Sequence, residues 1–102
     1  MTTARKSKAI RTLEKLNEGP LTLGQFLEAI RVGEKKTQSA FALELGISRA
    51  KLCDIEKGRR LVSPARAAAW GRKLGYGEKQ FIRYALQDLV RQEGLDCTVT
   101  VG

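Results

Sequence analysis

The sequence predicts an all-α protein: a domain of five helices, with an N-terminal helical extension and a short C-terminal β-strand. Three observations lead to this prediction. Apolar residues recur three and four positions apart through most of the 102 residues, as on one face of a helix. Ser or Thr precedes several of these segments and glycine follows them, which is typical of helix ends. In the tail, residues 95–101, apolar and polar residues instead alternate with the period of a strand.

The N-terminal extension, residues 1–20, is basic. Its run RKSKAIRTLEKLN predicts an amphipathic helix with Ile10, Leu13 and Leu16 on the less polar side. Gly19 and Pro20 end this helix.

The first helix of the domain begins after Thr22. Gln25 stands three residues further on, so the pair fits a capping box in which each side chain bonds the other residue's backbone. The apolar positions that follow have helical spacing: Leu23, Phe26, Leu27 and Ile30. We expect this helix to stop near Gly33.

Two short helices joined by a tight glycine turn are predicted between Thr37 and Gly58. Thr37 and Ser48 can cap them, and Gly46 supplies a left-handed exit from the first. Their apolar faces are Phe41, Ala42 and Leu45 in the first helix, and Leu52 and Ile55 in the second. This arrangement is that of a helix-turn-helix reader of DNA.

Two further helices follow a short linker at 59–62. Ser63 and Pro64 start the fourth, since Ser caps helices and Pro fits the first helical position. Trp70 lies on its apolar stripe, which favours a core anchor over a platform for stacking bases. The fifth helix runs from about 78 to 93, and its apolar positions are Phe81, Ala85, Leu86, Leu89 and Val90.

The C-terminal segment LDCTVTV is rich in β-branched residues and predicts a strand. A lone strand leaves its backbone groups unpaired, so we expect it to pair with a second copy of the chain or with a foreign sheet edge. A frayed tail is the alternative. The residues predicted to form the dimer contact are Phe81, Leu86, Leu89, Val90, Val99 and Val101.

Composition points to a polyanionic partner and away from catalysis. The formal net charge is +8, and residues 1–60 carry thirteen cations against seven anions. There is no histidine, no phosphate-binding glycine loop and no metal-ligand spacing, so no enzyme, metal or cofactor is predicted. Cys53 and Cys97 are expected to be free thiols without a redox role. With no membrane span or signal peptide, we expect a cytoplasmic, nucleoid-associated protein.

Several residues at fixed spacing carry a resemblance to a known family: Gln38, Ala42, Gly46-Ile47-Ser48, Leu52, Ile55 and Glu56-Lys57-Gly58. Together they resemble the signature of the lambda-repressor-like, Cro-type (XRE) family of bacterial and phage regulators, over about Leu21 to Leu74. The resemblance implies a DNA-binding domain at 21–76, followed by a helix and strand at 77–102 that serve dimerisation.

The second helix of the motif enters the major groove with its N-terminal residues foremost. The candidate base-contacting residues are Arg49, Ala50, Lys51 and Asp54. Arg49 suits a guanine edge, Ala50 a thymine methyl and Asp54 a cytosine amino group, whereas Lys51 equally suits a phosphate.

Phosphate contacts are predicted around this helix, at Gln38, Ser48, Lys57, Arg59, Arg60, Lys35 and Lys36. For Gln38 the resemblance implies this role, and for the lysines and arginines a merely solvated face is the alternative. The resemblance also implies a structural ion pair between Arg31 and Glu56.

These observations favour a sequence-specific regulator, a repressor that binds double-stranded DNA as a homodimer on a palindromic operator. The alternative is an antitoxin that holds a toxin protein and represses its own operon. A third possibility is an architectural DNA-binding protein, against which the mixture of Arg49 and Asp54 argues mildly.

Overall fold

The computed structural model describes residues 21–102, so the predicted N-terminal helix at 1–20 lies outside the described part of the chain. Five helices follow one another, and we label them α1 to α5: α1 Leu23–Gly33, α2 Gln38–Leu45, α3 Arg49–Glu56, α4 Pro64–Leu74 and α5 Glu78–Gln92. Within 21–102 the chain forms no strand. The prediction of an all-α domain of five helices is confirmed.

Side-chain caps begin four of the five helices, as the sequence predicts. The Thr22 hydroxyl accepts from the Gln25 N–H at 3.1 Å, and the Gln25 carbonyl oxygen Oε1 accepts from the Thr22 N–H at 3.0 Å. This reciprocal pair is the capping box before α1. Thr37, Ser48 and Ser63 cap α2, α3 and α4 in the same way through one bond each.

All five helices contribute to one hydrophobic core. The Phe26 ring of α1 lies 5.1 Å from the Phe81 ring and 4.7 Å from the Tyr84 ring, both on α5. Trp70 of α4 is buried, and its indole N–H donates to the carbonyl of Leu45 at 3.1 Å. The prediction of Trp70 as a core anchor is confirmed, and α5 is part of the domain core.

Phe81 cannot serve in the predicted dimer contact through its side chain. It has no exposed surface because it fills the centre of the aromatic cluster. Apolar residues lie on two sides of α5, and the sequence alone does not tell which side faces the domain's own core. Leu89, by contrast, is 44% exposed.

A close backbone approach joins α1 to α3. A Cβ atom built on Gly24 would lie 1.9 Å from the carbonyl oxygen of Ile55. Since that distance is far inside van der Waals contact, only glycine allows the two helices to cross this closely. The crossing fixes the position of α3 relative to the rest of the domain.

The predicted C-terminal strand is wrong for the single chain, since residues 95–102 have no regular secondary structure. A strand requires a backbone ladder, and no other described segment forms one with the tail. A side chain holds the tail instead: the Gln87 amide nitrogen Nε2 donates to the Cys97 carbonyl, and the Val99 N–H donates to Gln87 Oε1, both at 2.7 Å.

Candidate nucleic-acid interface

Helix α3 exposes its N-terminal end and buries its opposite side. Leu52 and Ile55 face the core, with 0% and 3% of their surface exposed. Arg49 and Ala50, in the first turn, are exposed, and Lys51 is half-buried. The turn before α3 depends on Gly46, whose φ of +78° lies in the left-handed region that favours glycine. The structure thus presents the start of α3 to solvent, as a groove-reading helix requires.

A network of charged and polar side chains supports α3 from behind. Arg31 on α1 bonds both carboxylate oxygens of Glu56, at 2.8 Å from Nε and 3.1 Å from Nη2. The Arg31 Nη1 group also donates to the Lys36 carbonyl at 3.1 Å. Only 2% of the Glu56 side chain is exposed. The bond to Glu56 raises the pKa of the Arg31 guanidinium, so this side chain stays protonated at all ordinary pH.

Gln38 connects this network to the N-terminal end of α3. Its amide nitrogen Nε2 donates to Glu56 Oε1 at 2.9 Å, and its carbonyl oxygen Oε1 lies 3.5 Å from Arg49 Nη1. The second of these contacts is long and therefore weak. The amide nitrogen carries two hydrogens, so one remains for a phosphate, the partner predicted for Gln38.

Asp54 is neutralised by Arg59. The Arg59 Nε atom donates to Asp54 Oδ1 at 3.1 Å, and both side chains are partly exposed. Lys51 and Lys57 stand only three residues from Asp54 in the sequence, but neither forms the ion pair. A glycine turn at Gly58 brings Arg59 back over the end of α3 instead. In this arrangement Arg59 has less charge to offer a phosphate than Arg60 has.

Lys36 is likewise paired with acidic side chains. Its Nζ atom lies 2.6 Å from Glu44 and 2.9 Å from Glu34, and these bonds raise its pKa. Lys35 is exposed and has no such partner among residues 21–102. The structure therefore separates two residues that the sequence interpretation treated alike: Lys35 is available to a phosphate and Lys36 is bound to acids.

Arg66 belongs with the predicted cations, although sequence reasoning missed it. A cleft of about 310 Å³ lies between the end of α3 and the start of α4. It is lined by Lys51, Ile55, Arg60, Leu61, Val62, Ser63 and Arg66. The signal was present in the sequence, since Arg66 stands in the first turn of a helix whose start Ser63 and Pro64 predict. Three cations and a helix N-terminus around one cleft suit an anionic group.

Three other features of the described residues concern metal binding, membrane crossing and the two cysteine thiols. Within 21–102 no group of three or more His, Cys, Asp or Glu side chains is arranged to hold a metal ion. None of the helices in this range combines the length and apolar character that a membrane crossing demands. Cys53 is half-buried, with its sulfur 4.0 Å from Arg59 Nη2, and Cys97 is exposed; both are free thiols.

Comparison with known proteins agrees with this geometry. A family model described as a helix-turn-helix domain matches residues 22–80, which is more than half of the chain. The matched range covers α1 to α4 and the first residues of α5. No curated protein and no solved structure matches the chain.

Proposed function

The chain belongs to the helix-turn-helix domain family, and from this premise we propose that it is a sequence-specific transcriptional regulator that reads DNA with α3. One observation carries the proposal. The exposed start of α3 is held in place by the buried Arg31–Glu56 pair and by Gln38, which contacts both Glu56 and Arg49. Such support behind a reading surface fixes the orientation on which base recognition depends.

Arg49 is the residue to which we assign base recognition. It is exposed and has no acidic partner among residues 21–102, so its guanidinium is available to a guanine O6/N7 edge. Ala50 beside it suits a thymine methyl group. Asp54 suits a cytosine amino group because Arg59 already neutralises its charge and lowers the repulsion from phosphates.

Five cations around α3 that have no acidic partner among residues 21–102 supply sequence-independent affinity in this proposal. They are Lys35, Lys51, Lys57, Arg60 and Arg66, and the Ser48 end of α3 adds its backbone N–H groups. Residues 21–76 form the reading part. Residues 77–102 add α5 to the same core and provide the surface for dimerisation.

We further propose that the protein acts as a homodimer on a palindromic operator and represses by excluding polymerase. Two copies of α3 then lie about 34–36 Å apart in successive major grooves. Its place of action is the nucleoid in the cytoplasm, because the operator is there.

Binding to the protein's own upstream DNA tests this function. The titration compares that duplex with a scrambled duplex of equal length across a range of salt, using wild type, Arg49→Ala and Lys73→Ala. Lys73 is the charge-matched control, since it is an exposed cation near the end of α4.

We expect a preference of about 10³-fold or more for the native duplex. Arg49→Ala should lose about 1–3 kcal/mol of that preference and Lys73→Ala almost none. Equal binding of wild type to both duplexes, with a steep salt dependence, contradicts sequence-specific reading and leaves a non-specific DNA binder.

A further inference from the structure

The C-terminal tail is held to α5 by the side-chain amide of Gln87. This side chain is 4% exposed, and both of its polar atoms bond the tail: Nε2 to the Cys97 carbonyl and Oε1 to the Val99 N–H. Both bonds are 2.7 Å long. The amide therefore binds the backbone of the tail at two alternate residues, 97 and 99.

The pattern of these two bonds is that of a parallel β-ladder. In such a ladder, one residue donates to the carbonyl of one neighbour and accepts from the N–H two residues further along the opposite strand. The Gln87 amide takes the place of that one residue. Because backbone groups of successive residues point to opposite edges, those of Asp96, Thr98 and Thr100 point away from Gln87.

This outer edge is free within the described part of the chain. The backbone groups of residues 96, 98 and 100 make no hydrogen bond to any residue in 21–102. Thr98 and Thr100 are exposed. Natural proteins usually protect such an edge with lysine, proline or a covering element. Residues 95–102 contain no Lys, Arg or Pro, in a chain that has nineteen Lys and Arg.

Exposed apolar surface accompanies this edge at the start of the tail, where Leu95 is 57% exposed. Burial of the Leu95 side chain by a partner adds a hydrophobic contribution to backbone pairing. We call the free edge at residues 96, 98 and 100, together with Leu95, the tail surface.

We propose that the tail surface pairs with the tail surface of a second copy, antiparallel, about a two-fold axis at Thr98. Each Thr98 exchanges two backbone hydrogen bonds with Thr98 of the second copy, and Asp96 pairs with Thr100 of the second copy. The role given to this dimer, matching a two-fold operator, rests on the proposed function, whereas the pairing itself rests on the tail geometry.

The sequence of the tail favours this occupant and this register. Asp96 is the only charged side chain in 95–102. Antiparallel pairing about Thr98 places it opposite a threonine, whereas parallel pairing in register places two Asp96 carboxylates together, which is unfavourable. The central pair is then Thr98 with Thr98, a β-branched cross-strand pair of the kind that stabilises sheets.

Disulfide trapping tests the register. In a Cys53→Ser, Cys97→Ser background, Thr98→Cys and Thr100→Cys each give a chain with one thiol. Residues directly opposite in a hydrogen-bonded pair have Cα atoms about 5.5 Å apart, within disulfide reach. The two positions 100 lie about 14 Å apart in this register, beyond that reach.

We expect Thr98→Cys to form a covalent dimer on mild oxidation in dilute solution and Thr100→Cys to remain monomeric. Equal cross-linking of both, or cross-linking of Thr100→Cys alone, overturns the register. Absence of cross-linking in both overturns the pairing.

Thr98→Pro separates the pairing from the fold and from DNA recognition. Proline removes the N–H donor at the two-fold axis and leaves both bonds to Gln87 in place. Thr98→Ala keeps the N–H and is the matched control. Sedimentation should show a dimer for wild type and Thr98→Ala, and a dimer dissociation constant raised about tenfold or more for Thr98→Pro. An undiminished dimer in Thr98→Pro overturns the inference.

Binding of the same variants to a single operator half-site distinguishes this inference from the proposed function. Thr98→Pro should bind the half-site as wild type does, because α3 is untouched. If Thr98→Pro keeps both its preference for the half-site and an unchanged dimer, the tail pairing is overturned and the proposed function is not. Cross-linking through position 98 in a protein without any DNA preference upholds the pairing and contradicts the proposed function.

Discussion

Arg31 on α1 binds the carboxylate of Glu56, the last residue of α3, through two hydrogen bonds of 2.8 and 3.1 Å. The Arg31 side chain is 14% exposed and that of Glu56 is 2% exposed. Because Gln38 bonds the same carboxylate, one acidic group ties the first helix of the domain to both helices of the motif. The position of α3 therefore depends on Glu56.

Replacing Glu56 should destabilise the domain strongly. Glu56→Ala removes the two-bond carboxylate partner of the Arg31 charge, and it removes the acceptor of the Gln38 amide. Among residues 21–102, Arg31 then keeps only the Lys36 carbonyl and Glu28 at 4.0 Å. We expect a loss of about 3–5 kcal/mol in the free energy of unfolding, measured by urea titration with circular dichroism.

Glu78→Ala is the control, since its pair with Arg72 is largely exposed and should contribute well under about 1 kcal/mol. A cost for Glu56→Ala as small as that of Glu78→Ala contradicts the importance of the buried pair.

Gly24→Ala should also destabilise the domain, for a steric reason. The added methyl group meets the Ile55 carbonyl oxygen at 1.9 Å, so α1 and α3 must move apart. We expect a loss of about 3 kcal/mol in the free energy of unfolding.

Gly33→Ala, at the end of the same helix, is the control because nothing lies within 4 Å of its added Cβ. It should be neutral or stabilising by up to about 1 kcal/mol. The melting temperatures of the two variants, measured by thermal unfolding, test this difference. Equal melting temperatures would contradict the close crossing of α1 and α3.

Asp88 should make stability fall as pH rises in the acid range. Burial raises the pKa of its carboxyl above the ordinary 3.8, although the Leu23 N–H bond at 3.0 Å and Arg91 oppose this. Its Oδ1 atom is buried and has no hydrogen-bond partner among the described residues. Between the unfolded and folded pKa values the folded state binds more protons, so the free energy of unfolding decreases with pH.

Asp88→Asn removes this titration. The free energy of unfolding of each protein is measured by urea titration at about five pH values between about 3 and 7. Subtracting the value for Asp88→Asn from that for wild type at each pH isolates the contribution of Asp88. We expect the difference to favour wild type at the acid end and to shift against it as pH rises above 3.8. A difference with the opposite slope contradicts the raised pKa.

The salt dependence of DNA binding should distinguish free cations from paired ones. Lys57 is exposed and unpaired within residues 21–102, whereas Lys36 is bound to Glu34 and Glu44. We expect Lys57→Ala to reduce the slope of log K against log salt by about 1. Lys36→Ala should change it much less, and equal changes in the two slopes would show that the lysine–acid bonds open on DNA.

Local signals predicted the helices because the interactions that start and stop a helix lie within a few residues. Thr22 with Gln25, Ser63 with Pro64, and Gly46 each act over one turn, and the structure has them as the sequence indicates. The buried side of α3 is likewise fixed by the spacing of Leu52 and Ile55.

Sequence reasoning failed where a choice among distant partners decides the outcome. The sequence predicts phosphate contacts for both Arg59 and Lys36, but a turn brings Arg59 to Asp54, and Lys36 pairs with Glu44 on the next helix. The apolar spacing of α5 allows Phe81 to face either the core or a partner. Packing against Phe26 places it in the core. The tail has the period of a strand, but a side chain takes the place of the missing ladder.

Selection from a randomised duplex library, with wild type and Arg49→Ala in parallel, tests the central claim most directly. We predict that wild type enriches a two-fold symmetric sequence whose half-sites are about one helical turn apart, each with a fixed guanine. Arg49→Ala should relax the preference at that guanine and keep the other positions. Failure of wild type to enrich any sequence would contradict the assignment of α3 as a reader of bases.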